Sequence, residues 1–499
     1  MNILDLLSDL RAHAGKTRTH GLPDATLLEL APRYPELVEA AQAARELFAQ
    51  VRDEFPEIVA LDEDSQRAAV QADFVNFYNP GTVNPYVALA ARGPWIVTLK
   101  GAVLHDSGGY GMLGFGHAPK AVLEALARPQ AMANIMTPSV SQLRFTRALQ
   151  KEIGHRRASG HPYSRFFCLN SGSESVTLAC RLVDIHAKTQ TDPGARHAGK
   201  TLKHVAVKGA FHGRTEGPAR YSDSSRTAYL KHLASYRGDD SLLTVDPYNV
   251  EQLRNVFAEA DRNHWYIEAM FLEPVMGEGD PGRAVTPAFY AAARELTQQH
   301  GSLLLVDSIQ AGLRAHGVLS VTDYPGFENL PAPDMETYSK ALNAGQYPLS
   351  VLAVGPAAND IYKSGVYGNT MTTNPRAMDV ATTVLGLLTD EVRANIAQRG
   401  EQFVEKLDAL RRELSGLITK VQGTGLLFSC ELSHEFKCYG EGSIEEYMRE
   451  AGIGVIHGGE NSLRFTPHFT ITEREVDLVI EQVKLALLNG PRKRQAAAA

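Results

Sequence analysis

Cysteine is scarce. Cys168, Cys180, Cys430 and Cys438 are the only four in 499 residues, too few for a disulfide scaffold and without metal-ligand spacing. Reduced, mostly buried thiols follow, and no metal site is expected. No apolar run is long enough to cross a bilayer, so no membrane partner is expected. Positive charge is not in excess either. Fifty Lys and Arg against 57 Asp and Glu leave a net charge of −7, which gives no electrostatic case for nucleic acid or an anionic membrane. Internal repeats and low-complexity linkers are absent. The first ten residues carry Asp5 and Asp9 inside their apolar stretch, a poor signal peptide, so a cytoplasmic location is expected. Residues 491–499, with three basic side chains and four alanines, read as a disordered tail.

What is present is ordinary for a globular chain: 44% apolar and 21% charged residues, with length enough for two packed units. Residues 1–75 read as a helical N-terminal arm punctuated by Pro23, Pro32, Pro35 and Pro56, packing on the body or on a second subunit. Residues 76–117 change to short extended runs. Trp95–Leu99 and Ala102–Asp106 read as a hairpin around Lys100-Gly101, and a glycine-dense loop follows over 108–117. From 118 to 375, helices such as Glu174–Lys188, Val250–Glu259 and Pro287–His300 alternate with short apolar strands. These strands are Ser164–Leu169, His204–Lys208, Ala269–Pro274, Leu303–Asp307, Glu336–Ser339 and Ser350–Val354. That alternation predicts an α/β fold: a large domain with a mostly parallel sheet covered by helices. Residues 376–490 read as a smaller α+β domain: one long helical run to about Leu414, four short strands and a last helix over Glu473–Leu488.

In such sheets, sites lie beyond the carboxyl ends of the strands. Asn170, Phe211, Glu273, Asp307 and Lys340 all fall at or just after strand ends. A lysine in a dry, crowded pocket is a nucleophile towards an aldehyde. A buried strand ending in an acid needs a partner, and a pyridinium N–H is one. A Schiff-base lysine, Lys340, with an aspartate, Asp307, is what pyridoxal phosphate requires of a protein. Gly172 and Ser173 open a helix after a strand, a natural phosphate cradle, although Ser173 is equally readable as a helix cap. Phe211 is an aromatic able to stack on a planar ring, or a core phenylalanine, and Arg214 is a carboxylate partner or a surface arginine. Glu273 and Glu278 put two acids on one loop. Their closeness along the chain argues against paired carboxylates of the glycoside-hydrolase kind.

As a set, Asn170–Glu174, Phe211–Thr215, Glu273–Glu278, Asp307–Gly312, Asp334–Leu349, Tyr367–Pro375 and Arg464–Pro467 resemble the class III, ornithine/ω-amino acid type aminotransferases of pyridoxal-phosphate fold type I. The likeness spans about residues 76–490. It implies that Lys340 holds the cofactor and shuttles a proton, and that Asp307 binds the pyridine nitrogen. It also implies that Gly172 and Ser173 take the phosphate, that Phe211 stacks on the ring and that Gln310 contacts the ring hydroxyl. His212 and Glu273 join the cofactor-binding set. Thr370 resembles the threonine sent to the phosphate of a neighbouring subunit, which implies a homodimer with shared sites. Tyr110, Arg214, Glu278 and Arg464 are the implied substrate-facing residues, with Glu278 pairing with Arg464 when an amine-bearing substrate enters. Ser308, Asn343, Thr372 and Thr373 depart from the family pattern. The expected function is transfer of an amino group, from an ω-amine, a diamine or a diamino acid such as ornithine or lysine, to a 2-oxo acid such as 2-oxoglutarate or pyruvate. An aminomutase, racemase or decarboxylase of the same fold is the alternative. A non-catalytic binding protein is disfavoured by intact Lys340 and Asp307.

Overall fold

A computed structural model describes residues 2–493. The chain divides into two compact units, Met1–Lys120 with Gln398–Ala499, and Ala121–Ala397. The second unit holds a seven-stranded sheet in the order Arg165–Leu169, Ser350–Val354, Met335–Tyr338, Leu303–Asp307, Trp265–Leu272, Thr201–Val207, Leu242–Val245. Ser350–Val354 runs antiparallel to both its neighbours, and the other pairings are parallel. The central strands are buried nearly throughout, as expected of parallel strands covered on both faces. Leu242–Val245, an edge strand absent from the sequence-based expectation, is half-buried over most of its length.

Local chemistry sets the helices. Pro287–His300 starts after Thr286, whose hydroxyl accepts the Phe289 N–H, has proline in its first turn and stops at Gly301, which adopts φ +75°. The helical run expected from 376 is two helices, Pro375–Leu387 and Asp390–Glu413. The first buries Ala377, Met378, Val380, Ala381 and Val384 and packs against Val140–Glu152. This packing places it in the sheet-bearing unit, which runs to Ala397.

The other unit carries two four-stranded sheets. One orders Ala88–Arg92, Trp95–Thr98, Val103–Asp106 and Ile453–Gly454, and the other Ile418–Thr424, Leu427–Leu432, Ser462–Phe465 and Ile456–Gly458. The hairpin turns at Gly101, φ +77°. The N-terminal arm packs on its own unit. Its helix Pro35–Glu54 lies on the first of these sheets, and buried Lys100 reaches up from the hairpin to the carbonyls of His13 and Val59 at 3.4 and 3.3 Å. Of the tail expected to be disordered, Pro491–Lys493 is described: Arg492 pairs with Glu435, and the Lys493 N–H donates to the Glu435 carbonyl at 2.8 Å. Residues 494–499 lie outside the described residues. No helix among the described residues is long and apolar enough to cross a membrane.

Candidate active site

In the sheet-bearing unit, the strands that carry Asn170, Phe211, Glu273, Asp307 and Lys340 share one direction, so all five emerge at the same edge. Asp307 ends its strand in register with Thr337 and is 4% exposed. Its Oδ2 lies 2.9 Å from His212 Nδ1, and its Oδ1 accepts the Ile309 N–H at 3.1 Å. A carboxylate accepts, so the His212 ring donates from Nδ1. His212 is itself fixed by its backbone N–H on Ser222 Oγ at 2.9 Å and by the edge of its ring against Phe271. A buried acid oriented by an imidazole on one side is set to present its other lone pairs in a fixed direction.

Lys340 follows the strand Met335–Tyr338 at φ +48°, a left-handed conformation that a non-glycine residue seldom adopts. Its Nζ donates to Gln310 Oε1 at 3.0 Å. Gln310 is 8% exposed, and its Nε2 has no hydrogen-bond partner. Gly277 packs against it so closely that a Cβ there would come within 2.4 Å of Gln310 Oε1. The loop after the lysine is stapled by Asn343, whose Nδ2 donates to the Leu349 carbonyl at 3.1 Å and whose Oδ1 accepts the Gly345 N–H at 2.9 Å. This is what the unexpected asparagine does here.

Glu273 is 5% exposed and accepts two backbone N–H groups, from Phe211 at 3.1 Å and Gly277 at 3.0 Å. It therefore ties the Phe211 loop to the Gly277 loop. Burial pushes its carboxyl up to about 7; His212 opposes that shift and Asp307 adds to it. Phe211 is half-buried, with the Arg214 guanidinium 4.8 Å from its ring. Glu278 lies 3.8 Å from Arg214, an exposed, weakly held pair. Glu278 thus has an arginine partner inside its own unit.

The helix Gly172–Thr191 begins after Ser171, whose hydroxyl accepts the Glu174 N–H, so Ser171 rather than Ser173 is the cap. Among the described residues, the N–H groups of Gly172 and Ser173 have no acceptor. A Cβ on Gly172 would meet Ile309 Cδ1 at 2.7 Å. Glu174 accepts from Tyr367 Oη at 2.6 Å and Asn369 Nδ2 at 2.8 Å, which moors the segment bearing exposed Thr370 to this helix start.

These groups fit pyridoxal phosphate. They comprise an amine, an oriented buried carboxylate, two free N–H groups at a helix start and an orphaned buried amide beside the lysine. Tyr110 and Arg464 belong to the other unit, where the Arg464 guanidinium lies 5.6 Å from the Tyr110 ring.

One residue was missed in the sequence. Glu336 is fully buried and accepts from Ser308 Oγ, Ser320 Oγ and Tyr163 Oη, each at 2.6 Å, and from the Val321 N–H at 2.8 Å. Ser308, the departure beside Asp307, is thus one wall of a buried acid's cage. The signal was there: a lone acid in a strand with no other charge, Met335–Tyr338.

A family model described as Aminotransferase class-III matches residues 77–487. The succinylornithine transaminase of Citrobacter koseri is 30% identical over 408 residues, covering 81% of this chain and 92% of that protein. The acetylornithine aminotransferase of Xanthomonas campestris pv. campestris is 29% identical over 325 residues, covering 65% of this chain and 74% of that protein. Among solved structures, the ornithine aminotransferase from Toxoplasma gondii ME49 superposes with a TM-score of 0.72 at 23% identity, covering 88% of this chain and 98% of that one.

Proposed function

Because the chain belongs to the class III aminotransferases, we propose that it takes its amino group from an ω-amine or diamino acid of the ornithine type. The cofactor is pyridoxal 5′-phosphate and the acceptor a 2-oxo acid. The cofactor supplies the aldehyde that takes up the amine and a ring that draws electrons from the neighbouring carbon. Lys340 would hold it through Nζ and afterwards carry a proton. Asp307, oriented by His212, keeps a proton on the pyridine nitrogen. Gly172 and Ser173 offer N–H groups to the phosphate, Phe211 offers a ring face, and the free Nε2 of Gln310 is a donor for the ring hydroxyl. Glu273 holds the Phe211 loop in place. Tyr110 and Arg464 receive a substrate carboxylate, with Arg214 and Glu278 as further substrate-facing groups. The observation that carries this reading is Lys340 Nζ on Gln310 Oε1, at the edge where the Asp307–His212 pair emerges.

The assembly we infer is a homodimer in which Thr370 serves the partner's phosphate. It is supported by the bare apolar side chains Met132, Met136 and Met371, exposed by 81%, 71% and 65%. A cytoplasmic location agrees with four free cysteines. A panel of amine donors tests the donor class. Ornithine-type donors convert the cofactor from its aldehyde to its amine form, seen as a change in absorbance, and monoamines convert it far more slowly. Equal rates across the panel sink the donor assignment. Conversion of Lys340→Ala at the parent rate sinks the site.

A further inference from the structure

The unit that carries Tyr110 and Arg464 also buries a cluster that the proposed reaction leaves unused. His105, His468 and Glu475 are 0%, 4% and 1% exposed. The Nε2 atoms of the two rings lie 3.1 and 3.0 Å from one oxygen, Glu475 Oε1. Burial alone would push the Glu475 carboxyl up, but the two histidines overcome it and hold the group well below the usual carboxylate range. An ionised carboxylate only accepts, so both rings donate to it.

The remaining atoms are also engaged. His105 Nδ1 meets Ser107 Oγ and His468 Nδ1 meets Thr470 Oγ1, both at 3.1 Å. Glu475 Oε2 accepts the N–H and the hydroxyl of Thr472 at 2.8 and 2.7 Å, and the Tyr34 hydroxyl closes on Thr472 Oγ1 at 2.7 Å. The three ligand-type atoms lie within 4.8 Å of one another. With two N–H groups aimed at one oxygen, however, the lone pairs do not converge on an ion. The cluster is a hydrogen-bonded knot.

The knot sits on a seam. The Thr466 N–H donates to the Ser107 carbonyl at 2.8 Å, the Phe469 N–H to the Gly114 carbonyl at 2.7 Å, and the Gly111 N–H to Thr466 Oγ1 at 3.0 Å. These bonds sew the glycine-dense loop to the strand Ser462–Phe465 and its continuation. Tyr110 rides on that loop at φ +52°, and Arg464 stands on that strand. Ser107 belongs to both systems, its hydroxyl on His105 and its carbonyl on Thr466.

We propose that His105, Glu475 and His468 are positioning residues for the substrate carboxylate: the knot sets the seam, and the seam sets the Tyr110–Arg464 pair. The inference rests on the reading of that pair as a carboxylate site. A displacement of about 1 Å in a binding group can cost up to about 100-fold, so a knot anchored on Ser107, three residues before Tyr110, is close enough to matter.

The test uses the holoenzyme with two acceptors, 2-oxoglutarate and an aldehyde that lacks a carboxylate, measured for the parent, Glu475→Gln, Ser107→Ala and Arg464→Ala. Glu475→Gln should raise KM for 2-oxoglutarate about tenfold and leave KM for the aldehyde within about twofold. Ser107→Ala keeps every buried charge, so it should fold and shift KM in the same direction by less; it decides the matter if Glu475→Gln does not fold. Loss of kcat alone, equal for both acceptors, is what a merely structural knot would give, and it overturns the proposal. If Arg464→Ala raises KM for 2-oxoglutarate and the knot variants do not, the knot proposal fails by itself. If Arg464→Ala leaves that KM unchanged, the carboxylate-site reading fails and takes the knot proposal with it.

Discussion

A buried carboxylate is stable only with a partner, and His212 is the partner of Asp307. His212→Ala leaves Asp307 with the Ile309 N–H alone. We expect a loss of about 3 kcal/mol in urea unfolding together with weaker retention of cofactor on dialysis; a variant as stable as the parent would show that Asp307 needs no imidazole. Glu273 makes a pH-dependent contribution. Its carboxyl lies near 7 in the folded chain against an ordinary value of 4.5. Between those values the folded state holds a proton that the unfolded state has released. Stability therefore falls as pH rises through that window and is level above it, a change on the order of 3 kcal/mol. Glu273→Gln should remove the slope. Urea midpoints taken across the window check this, and an unaltered slope assigns the titration to another group.

Among the elements, the last helix, Glu473–Asn489, shows how much rests on one cap. Thr472 and Glu475 form a reciprocal capping box, and Thr472 also meets Tyr34. Thr472→Ala should cost about 1–2 kcal/mol, and Thr472→Ser only a fraction of that; thermal melts of the two variants separate the hydroxyl from the methyl. This helix was legible in the sequence, as was Pro287–His300, because caps, proline and apolar period agree locally. Leu303–Asp307 and Ser350–Val354 were legible for a similar reason, being short apolar runs bounded by polar residues. Leu242–Val245 was not, because a half-buried edge strand of four residues lacks the apolar run that marks a covered one. The break at Leu388–Thr389 was hidden because helical periodicity resumes at Asp390. In the site, Lys340 and Asp307 stood out because strand ends before small-residue loops are visible in one dimension. The contact of His212 with Asp307 joins residues 95 apart. Only the order of strands in the sheet reveals it. Glu336 was missed because its donors come from three separate segments.

For the whole molecule, the inferred dimer is the feature most open to a single substitution. Met136→Asp replaces one of these bare apolar side chains with a charge. We expect sedimentation to report a species of half the mass, with activity lost alongside because Thr370 no longer reaches a neighbour; an active monomer would dissociate the two ideas. The cysteines have a different consequence. Each compact unit holds two free thiols, Cys168 and Cys180 in one and Cys430 and Cys438 in the other. Burial pushes the Cys430 thiol up to about 12 and raises the other three as well. Cys430 and Cys438 are buried whereas Cys168 and Cys180 are half-buried, so the first pair is slow to react at neutral pH until the chain around it opens. The molecule therefore carries a built-in clock in one unit. Alkylation followed in time, peptide by peptide, would record the opening rate of that unit in one unlabelled, unmutated sample.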